Sequence, residues 1–367
     1  MKILFLTNIP SPYRVDFFNA LGKLCDLTVL FENHAAKSRD ASWMEDRISS
    51  FNAVFMKGIR VGEAEAFCPE VLKYLSQKKY DHIVVGMYSS PTGMLAIEYM
   101  RMFHIPFILS SDGGMKKEDA GFRHHLKAHF IGAASAWLST GNTTTEYLCY
   151  YGAKKDRTFQ YPFTSVNEAD ILYNPVSVDE KNQLRKRLNM PESKIVLSVG
   201  QFIHRKGYDL LLKNCKGLDP NIGIYIVGGN ITEEYKCLQD ELNLTNIHFV
   251  EFMKKDQLSE YYRAADLFVL PTREDIWGLV INEAMAYGLP VITTDQCVAG
   301  VEMIQDSING KIVPVETNWK NEIEKILFSG NLYEISTNNL KVSHEYSIEN
   351  MAAVHERIFR NLKREKG

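Results

Sequence analysis

Short apolar runs alternate with helical periodicity along the whole chain, and this alternation restricts the fold more than any other feature. In the first half the runs are Ile3–Leu6, Leu27–Phe31, Ala53–Met56, Ile83–Val85, Phe107–Leu109 and Ala136–Leu138. In the second half they are Ile195–Val199, Ile224–Val227, Ile247–Val250, Leu267–Leu270, Pro290–Thr293 and Lys311–Val313. Runs this short and this continuously apolar read as strands covered on both faces, as in parallel sheets flanked by helices. Two such series predict two doubly wound α/β domains. At 367 residues the chain is too long for one ordinary core. Pro162, Asn174 and Pro175 break the pattern and put the boundary within Tyr161 to Val178. A last helix, with Ser347 as N-cap, carries Ile348, Met351, Ala352, His355, Ile358, Phe359 and Leu362 on one stripe.

Composition narrows the class. Hydrophobic residues make up 45% and charged residues 24%, as in a soluble globular protein. The net charge of -3 argues against nucleic acid as the main partner. Cys25, Cys68, Cys149, Cys215, Cys237 and Cys297 are scattered without a C-x-x-C pair, so free thiols in a reducing compartment are expected. Ile3 to Leu6 is cut short by Thr7, Asn8 and Pro10 and reads as a first strand, not a signal peptide. Lacking an apolar stretch of about 18 residues, the chain is expected to be cytoplasmic, at most peripheral to a membrane. There is no D-x-D pair and no H-E-x-x-H, so no metal site is expected.

Ligands of open α/β sheets bind at the carboxyl ends of the strands, which directs attention to the loops there. The richest is Pro271-Thr-Arg-Glu-Asp-Ile-Trp-Gly-Leu-Val-Ile-Asn-Glu-Ala-Met-Ala-Tyr-Gly-Leu-Pro290, an acidic turn leading from a strand into an amphipathic helix. A helix beginning near Trp277 would put Glu283 roughly 9 Å along its axis. The amides near Gly278, Leu279 and Val280 would lie between the Asp275 and Glu283 carboxylates. A helix N-terminus binds phosphate, so the segment suits a long ligand with a central diphosphate and hydroxyls at both ends, as in a nucleotide-sugar. Glu283 lies among Leu279, Val280, Ala286 and Tyr287 and needs a partner if buried, such as ribose hydroxyls. Its alternative is an edge position reaching solvent.

After Ile195–Val199 comes Gly200-Gln-Phe-Ile-His-Arg-Lys-Gly207, where Arg205 and Lys206 are either solvated loop cations or the neutralisers of a diphosphate leaving group. Gly228-Gly229-Asn230 allows close backbone approach to a ligand, or simply a turn. In the first half, Asn8-Ile-Pro-Ser-Pro-Tyr-Arg14 has no G-x-G-x-x-G, which disfavours a nicotinamide oxidoreductase. Tyr13 and Arg14 are candidates for the acceptor side, with an ordinary surface arginine as the alternative. Ser110-Ser-Asp-Gly-Gly-Met115 offers Asp112 beside Gly113 as an acceptor-side carboxylate facing an interdomain cleft, or as an Asx-turn. Lys116 to Phe130 is a basic, partly amphipathic helix that either lies on anionic membrane or packs, solvated, on its own domain.

The segment Pro271–Pro290 resembles the E-x7-E region of glycosyltransferase family 4, the retaining sugar transferases of the GT-B fold. The resemblance extends to Val199-Gly-Gln-Phe-Ile-His-Arg-Lys-Gly207, Ile226-Val-Gly-Gly229 and Ala265-Asp-Leu-Phe-Val-Leu-Pro271, covering the second half, with a looser likeness in the first. It implies two facing Rossmann-like domains: an acceptor domain over 1–170, to which the helix 347–367 crosses back, and a nucleotide-sugar domain over 171–346. Glu283 aligns with the family's ribose-binding glutamate, Asp275 with the glutamate contacting the donor sugar, and Lys206 with the diphosphate-binding lysine. The chain departs from the pattern in two ways. Asp275 replaces a glutamate, with Glu274 beside it as a competitor, and Gln201 stands where an arginine is usual, leaving Arg205 as its replacement. The glycine-rich loop and histidine of the family's first domain are not evident; Asp112 and Pro12-Tyr13-Arg14 occupy those places.

The resulting expectation is a metal-independent, retaining glycosyltransferase without cofactor. It would use a UDP- or GDP-sugar and a glycan or lipid-linked acceptor, in capsule, exopolysaccharide or O-antigen synthesis. The alternatives are a sugar-nucleotide epimerase, which releases nucleotide without an acceptor, and a non-catalytic sugar-nucleotide-binding protein.

Overall fold

Each apolar run named above forms a strand of one of two parallel sheets in the computed structural model, which describes residues 1–34, 47–117 and 121–364. The chain divides into two units, one of Met1–Asn167 with Tyr346–Gly367 and the other of Glu168–Glu345.

In the first unit the strands are β1 (Lys2–Thr7), β2 (Asp26–Phe31), β3 (Asn52–Phe55), β4 (Ile59–Arg60), β5 (Ala66–Phe67), β6 (His82–Val85), β7 (Ile108–Ser110), β8 (Ala136–Ser139) and β9 (Thr158–Gln160). The main sheet runs β3-β2-β1-β6-β7-β8-β9, while β4 and β5 form a separate antiparallel pair. Helices α1 (Pro12–Gly22), α2 (Pro91–Met102), α3 (Phe122–Ile131) and α4 (Asn142–Tyr150) make the crossovers. Pro12 and Pro91 open α1 and α2, where a missing N–H costs nothing, and the Ser90 hydroxyl accepts from Gly93 N–H to cap α2. Five of the six residues of β1 are buried, as expected for a central strand covered on both faces.

In the second unit β10 (Lys194–Val199), β11 (Ile222–Val227), β12 (Ile247–Val250), β13 (Leu267–Leu270), β14 (Val291–Thr294) and β15 (Gly310–Val313) pair in the order β12-β11-β10-β13-β14-β15. The helices are α5 (Val178–Arg187), α6 (Tyr208–Asn214), α7 (Glu233–Leu242), α8 (Lys255–Ala264), α9 (Leu279–Ala286), α10 (Val298–Met303), α11 (Trp319–Leu327) and α12 (Leu332–Glu345). The strand order reverses between β10 and β13, so their loops flank the crevice where open α/β sheets take ligands.

The last helix, α13 (Ile348–Arg364), buries Ile348, Met351, Ala352, His355, Ile358, Phe359 and Leu362 in the first unit. The Ser347 hydroxyl accepts from Asn350 N–H at its start. His355 packs on Phe17 of α1 at 4.8 Å, and the His82 ring donates to the Phe359 carbonyl at 2.8 Å. Residues 365–367, the end of the helix anticipated over 347–367, lie outside the described residues.

Candidate active site

The loops after β10 and β13 are stitched together by backbone contacts before any side chain acts. Gly207 has φ 70°, and a Cβ there would lie 1.9 Å from the Pro271 carbonyl oxygen, so only glycine lets the turn His204–Lys206 press against the end of β13. Arg273 N–H donates to the Arg205 carbonyl at 2.8 Å, and the Thr272 hydroxyl donates to the same oxygen at 3.0 Å. The Arg273 guanidinium grips both oxygens of Asp209, at 2.7 and 2.8 Å, and holds the Asp209 carboxyl below its ordinary range. A parallel bridge between Asp275 and Cys297 continues the pairing beyond β13.

This frame brings Arg205, Lys206 and Asp275 into one cluster. The Lys206 ammonium lies 2.6 Å from Asp275 Oδ2, and Arg205 lies 3.0 Å from Asp275 Oδ1 while also donating to the Glu274 carbonyl at 2.7 Å. Lys206 and Asp275 are nearly buried, with side chains 11% and 10% exposed, whereas Arg205 is open to solvent at 43%. Two cations on one carboxylate leave the cluster with an excess positive charge. Gly200 belongs to it too: a Cβ there would come 2.8 Å from the Tyr208 hydroxyl and 3.3 Å from Lys206 Cε. Gly228 lies on Gly200 so closely that a Cβ would sit 2.0 Å from the Gly200 carbonyl oxygen. Gly229, at φ 98°, follows in the same loop and approaches Phe252. The two glycine positions thus bring the ends of β10 and β11 together.

The helix after the acidic turn starts later than its sequence suggests. Gly278, at φ 106°, is the N-cap of α9, and Leu279 is its first residue, because the left-handed backbone at Gly278 cannot belong to a helix. Glu283 is therefore about 6 Å along the axis, not 9 Å. Leu279 and Val280 open the helix, where amides lack intrahelical acceptors. Trp277, in the turn before α9, is 2% exposed, and its indole N–H donates to Asn282 Oδ1 at 2.8 Å. Glu283 is half-buried and already has a protein partner, since the Tyr262 hydroxyl donates to its Oε2 at 3.0 Å. Sequence reasoning passed over Tyr262, Arg273 and Asp209; the opposite charges of Arg273 and Asp209 were the only signal, and nothing in the chain order pairs them.

In the first unit, Arg14 at the start of α1 forms an ion pair with Asp112 after β7. The Tyr161 hydroxyl donates to the Ser111 carbonyl at 3.1 Å and to Asp112 Oδ1 at 3.2 Å. Burial opposes the Arg14 charge, but Asp112 and the neighbouring Tyr13 and Tyr161 outweigh it, so its pKa rises and it stays cationic. Burial and the Asp112 charge push the Tyr161 hydroxyl well above its usual range. Tyr13 stands edge-on to Phe163 at 5.8 Å, with the Arg14 guanidinium 5.7 Å from its ring. A small pocket is lined by Tyr13, Arg14, Ser110, Asp112, Tyr161 and His355. The loop at Gly113 is tied back by the Ser111 hydroxyl, which donates to the Gly113 carbonyl at 2.8 Å. Asp112 is therefore fixed by Arg14 and Tyr161, where the sequence suggested either a flexible-loop carboxylate or an Asx-turn. Arg14, with its side chain 11% exposed, is not an ordinary surface arginine.

The basic segment Lys116 to Phe130 is less open than its composition suggests. Residues 118–120 lie outside the described residues, and α3 follows them. Lys127 approaches Tyr151 at 4.8 Å from the ring, Lys116 approaches Tyr150 at 4.9 Å, and His124 packs on both tyrosines. Phe130 is buried, whereas Phe122 is 81% exposed. Among the described residues, no helix is long and apolar enough to cross a membrane, and no group of three or more His, Cys, Asp or Glu could hold a metal ion.

Residues 179–341 match the family described as Glycosyl transferases group 1. This stretch is similar in sequence to group 1 glycosyltransferases. It contains β10 to β15 and all of the Arg205–Lys206–Asp275 cluster, so the residues assembled here lie within the matched stretch. An uncharacterized 41.2 kDa protein in the cps region of Klebsiella pneumoniae is 29% identical over 46% of this chain and 47% of that protein. An uncharacterized glycosyltransferase of Methanocaldococcus jannaschii is 24% identical over 77% of this chain and 75% of its own length. The chain thus spans about half the length of the first of these relatives and three quarters of the second. The solved structure of Anabaena HepE in complex with UDP superposes with a TM-score of 0.77 at 16% identity, covering 99% of both chains. At that identity the likeness establishes the fold, which is that of the GT-B glycosyltransferases.

Proposed function

We propose that this protein is a metal-independent, retaining glycosyltransferase of family 4. It moves a sugar from a UDP- or GDP-sugar to a hydroxyl of a glycan or lipid-linked acceptor in bacterial surface polysaccharide synthesis. The observation that carries the reading is the convergence, at the β10/β13 reversal, of Lys206, Arg205, Asp275 and the start of α9, with Glu283 one turn further on. The UDP of the HepE structure and the cps setting of the Klebsiella relative support it.

The chemistry follows from where charge develops. As the bond between the anomeric carbon and the diphosphate oxygen breaks, negative charge gathers on the diphosphate. Lys206, Arg205 and the first amides of α9 stabilise it, the nearly buried ammonium most effectively because little water screens it. A diphosphate competes with Asp275 for the two cations, which frees the carboxylate to accept from sugar hydroxyls beside Glu274. The acceptor oxygen attacks on the face from which the diphosphate leaves, and its proton passes to a phosphate oxygen. Glu283 holds the ribose hydroxyls. In the first unit, the fixed Asp112, Arg14 and Tyr13 form the acceptor side, and the α3 segment makes peripheral contact with anionic membrane at the inner face.

The test is a transfer assay with UDP- and GDP-sugars on Lys206→Ala and Glu283→Ala. Lys206→Ala should lower turnover roughly a hundredfold, the scale for losing one donor to a developing anion. Glu283→Ala should raise the donor KM on the order of tenfold or more, having lost charge-assisted hydrogen bonds. Near-normal transfer in both variants would overturn the reading. Nucleotide release without any acceptor would point to an epimerase, and binding without turnover to a non-catalytic binder.

A further inference from the structure

Glu283 does not stand alone on α9. From α8, the Tyr262 hydroxyl donates to Glu283 Oε2 at 3.0 Å. Tyr262 is itself 2% exposed, and its ring lies parallel to Tyr287 at 5.1 Å and tilted against Phe268 at 6.0 Å. Tyr287, the C-cap of α9, follows Glu283 by four residues. The phenol ring is thus clamped by aromatic contacts, and its hydroxyl meets the carboxylate from the protein side.

We propose that Tyr262 is a positioning residue for the nucleotide site, orienting the Glu283 carboxylate to accept from the two ribose hydroxyls. The inference rests on the reading of Glu283 as the ribose-holding acid. The physical case is one of freedom removed. A glutamate has three side-chain torsions, and a half-buried carboxylate can rotate about the last of them unless a donor fixes one oxygen. Tyr262 supplies that donor from a rigid stack. Burial, and next the Glu283 charge, raise the phenol well above its usual range, so it remains a donor and does not become a second anion. Glu283 then presents a fixed face, matched to a vicinal diol, before any ligand arrives, and this preorganisation lowers the cost of binding.

The variant Tyr262→Phe keeps the aromatic stack and removes only the hydroxyl. Calorimetry with UDP and GDP identifies which nucleotide the wild type binds, and the same nucleotide and its 2′-deoxy form are then titrated into Tyr262→Phe and Glu283→Gln. In Tyr262→Phe, affinity for the ribonucleotide should fall about tenfold, the scale for losing a partner that orients a ligand-binding group. Affinity for the 2′-deoxy form should change little, so discrimination between the two sugars collapses. In transfer assays the donor KM should rise with kcat nearly unchanged, a split that general damage to the fold would not produce. Thermal melting of the variant alone establishes that it is folded. If Glu283→Gln binds the ribonucleotide as the wild type does, the ribose reading itself fails. If Glu283→Gln weakens binding while Tyr262→Phe keeps wild-type affinity and wild-type ribose discrimination, the positioning role is overturned and the ribose reading stands.

Discussion

His355 sits where a charged imidazole is costly. It is 1% exposed, its ring lies between Phe17 and Tyr161 at 4.8 and 4.4 Å, and its Nδ1–H donates to the Met351 carbonyl at 2.8 Å. Burial pushes its pKa down to about 4, with the Met351 bond working weakly against that. An unfolded histidine titrates near 6.5. Between about pH 6.5 and 4 the unfolded chain therefore binds a proton that the native state refuses, and stability falls as pH falls through that window. The loss should reach roughly 3 kcal/mol by pH 4. Urea denaturation at pH 7 and pH 4.5 should show it in the wild type and a smaller pH dependence in His355→Leu; equal dependence in both would refute the assignment. Residues differ in how far chain order betrays them. His355 was legible as a member of an apolar stripe, but its neutrality was not, since that depends on α1 and Tyr161 arriving from elsewhere. Lys206 and Asp275 could be named as candidates from their loops. That they hold each other was illegible, because nearly seventy positions separate them and only the β10/β13 reversal brings them together. Tyr262 gave no signal at all: a tyrosine on an amphipathic helix looks like packing.

At the scale of elements, α5 and β13 are joined by buried charge. Asp266 accepts from Arg185 at 2.7 Å and Lys181 at 3.0 Å, and also from Ile195 N–H at 3.0 Å, tying α5 to β13 and to the start of β10. Burial opposes the Asp266 charge, but Lys181 and Arg185 outweigh it and hold the carboxyl below its ordinary range. Removing one member of such a group leaves the others charged and buried, which costs more than the intact group contributes. Asp266→Ala should destabilise the protein by about 3–5 kcal/mol in urea unfolding, and a change under about 1 kcal/mol would refute the structural role. Elements were legible where burial was continuous, as in β1 or β13. The strand β9 escaped notice because Thr158-Phe-Gln160 is short, partly exposed and only one residue in three apolar. The two-residue strands β4 and β5 carry no periodicity to read. The start of α9 was misjudged by two residues because the left-handed Gly278 looks, in sequence, like any glycine within a helix.

For the molecule as a whole, a net charge of -3 gives no general attraction to anionic surfaces, so membrane contact has to come from a local patch. The α3 segment is the candidate, with Arg123 and Lys127 beside the exposed Phe122, although Lys127 is already occupied by Tyr147 and Tyr151. Sedimentation with vesicles containing anionic lipid should show binding that weakens from low salt to physiological ionic strength, as screening shortens the reach of the charges. Arg123→Glu should abolish it. Absence of binding at low salt would make a soluble acceptor the better choice.

The contact between Gly200 and Gly228 bears on any effort to redesign this protein. Their backbones touch where the smallest side chain at position 228 would overlap the Gly200 carbonyl, so position 228 is closed to variation. A mutant library that randomised these loops evenly would spend much of its diversity on chains in which the ends of β10 and β11 no longer meet. Variation belongs instead at Ile203 and Ile276, which are 40% and 60% exposed in the loops after β10 and β13. There a new side chain meets solvent first, so these positions can be varied without loosening the frame beneath them.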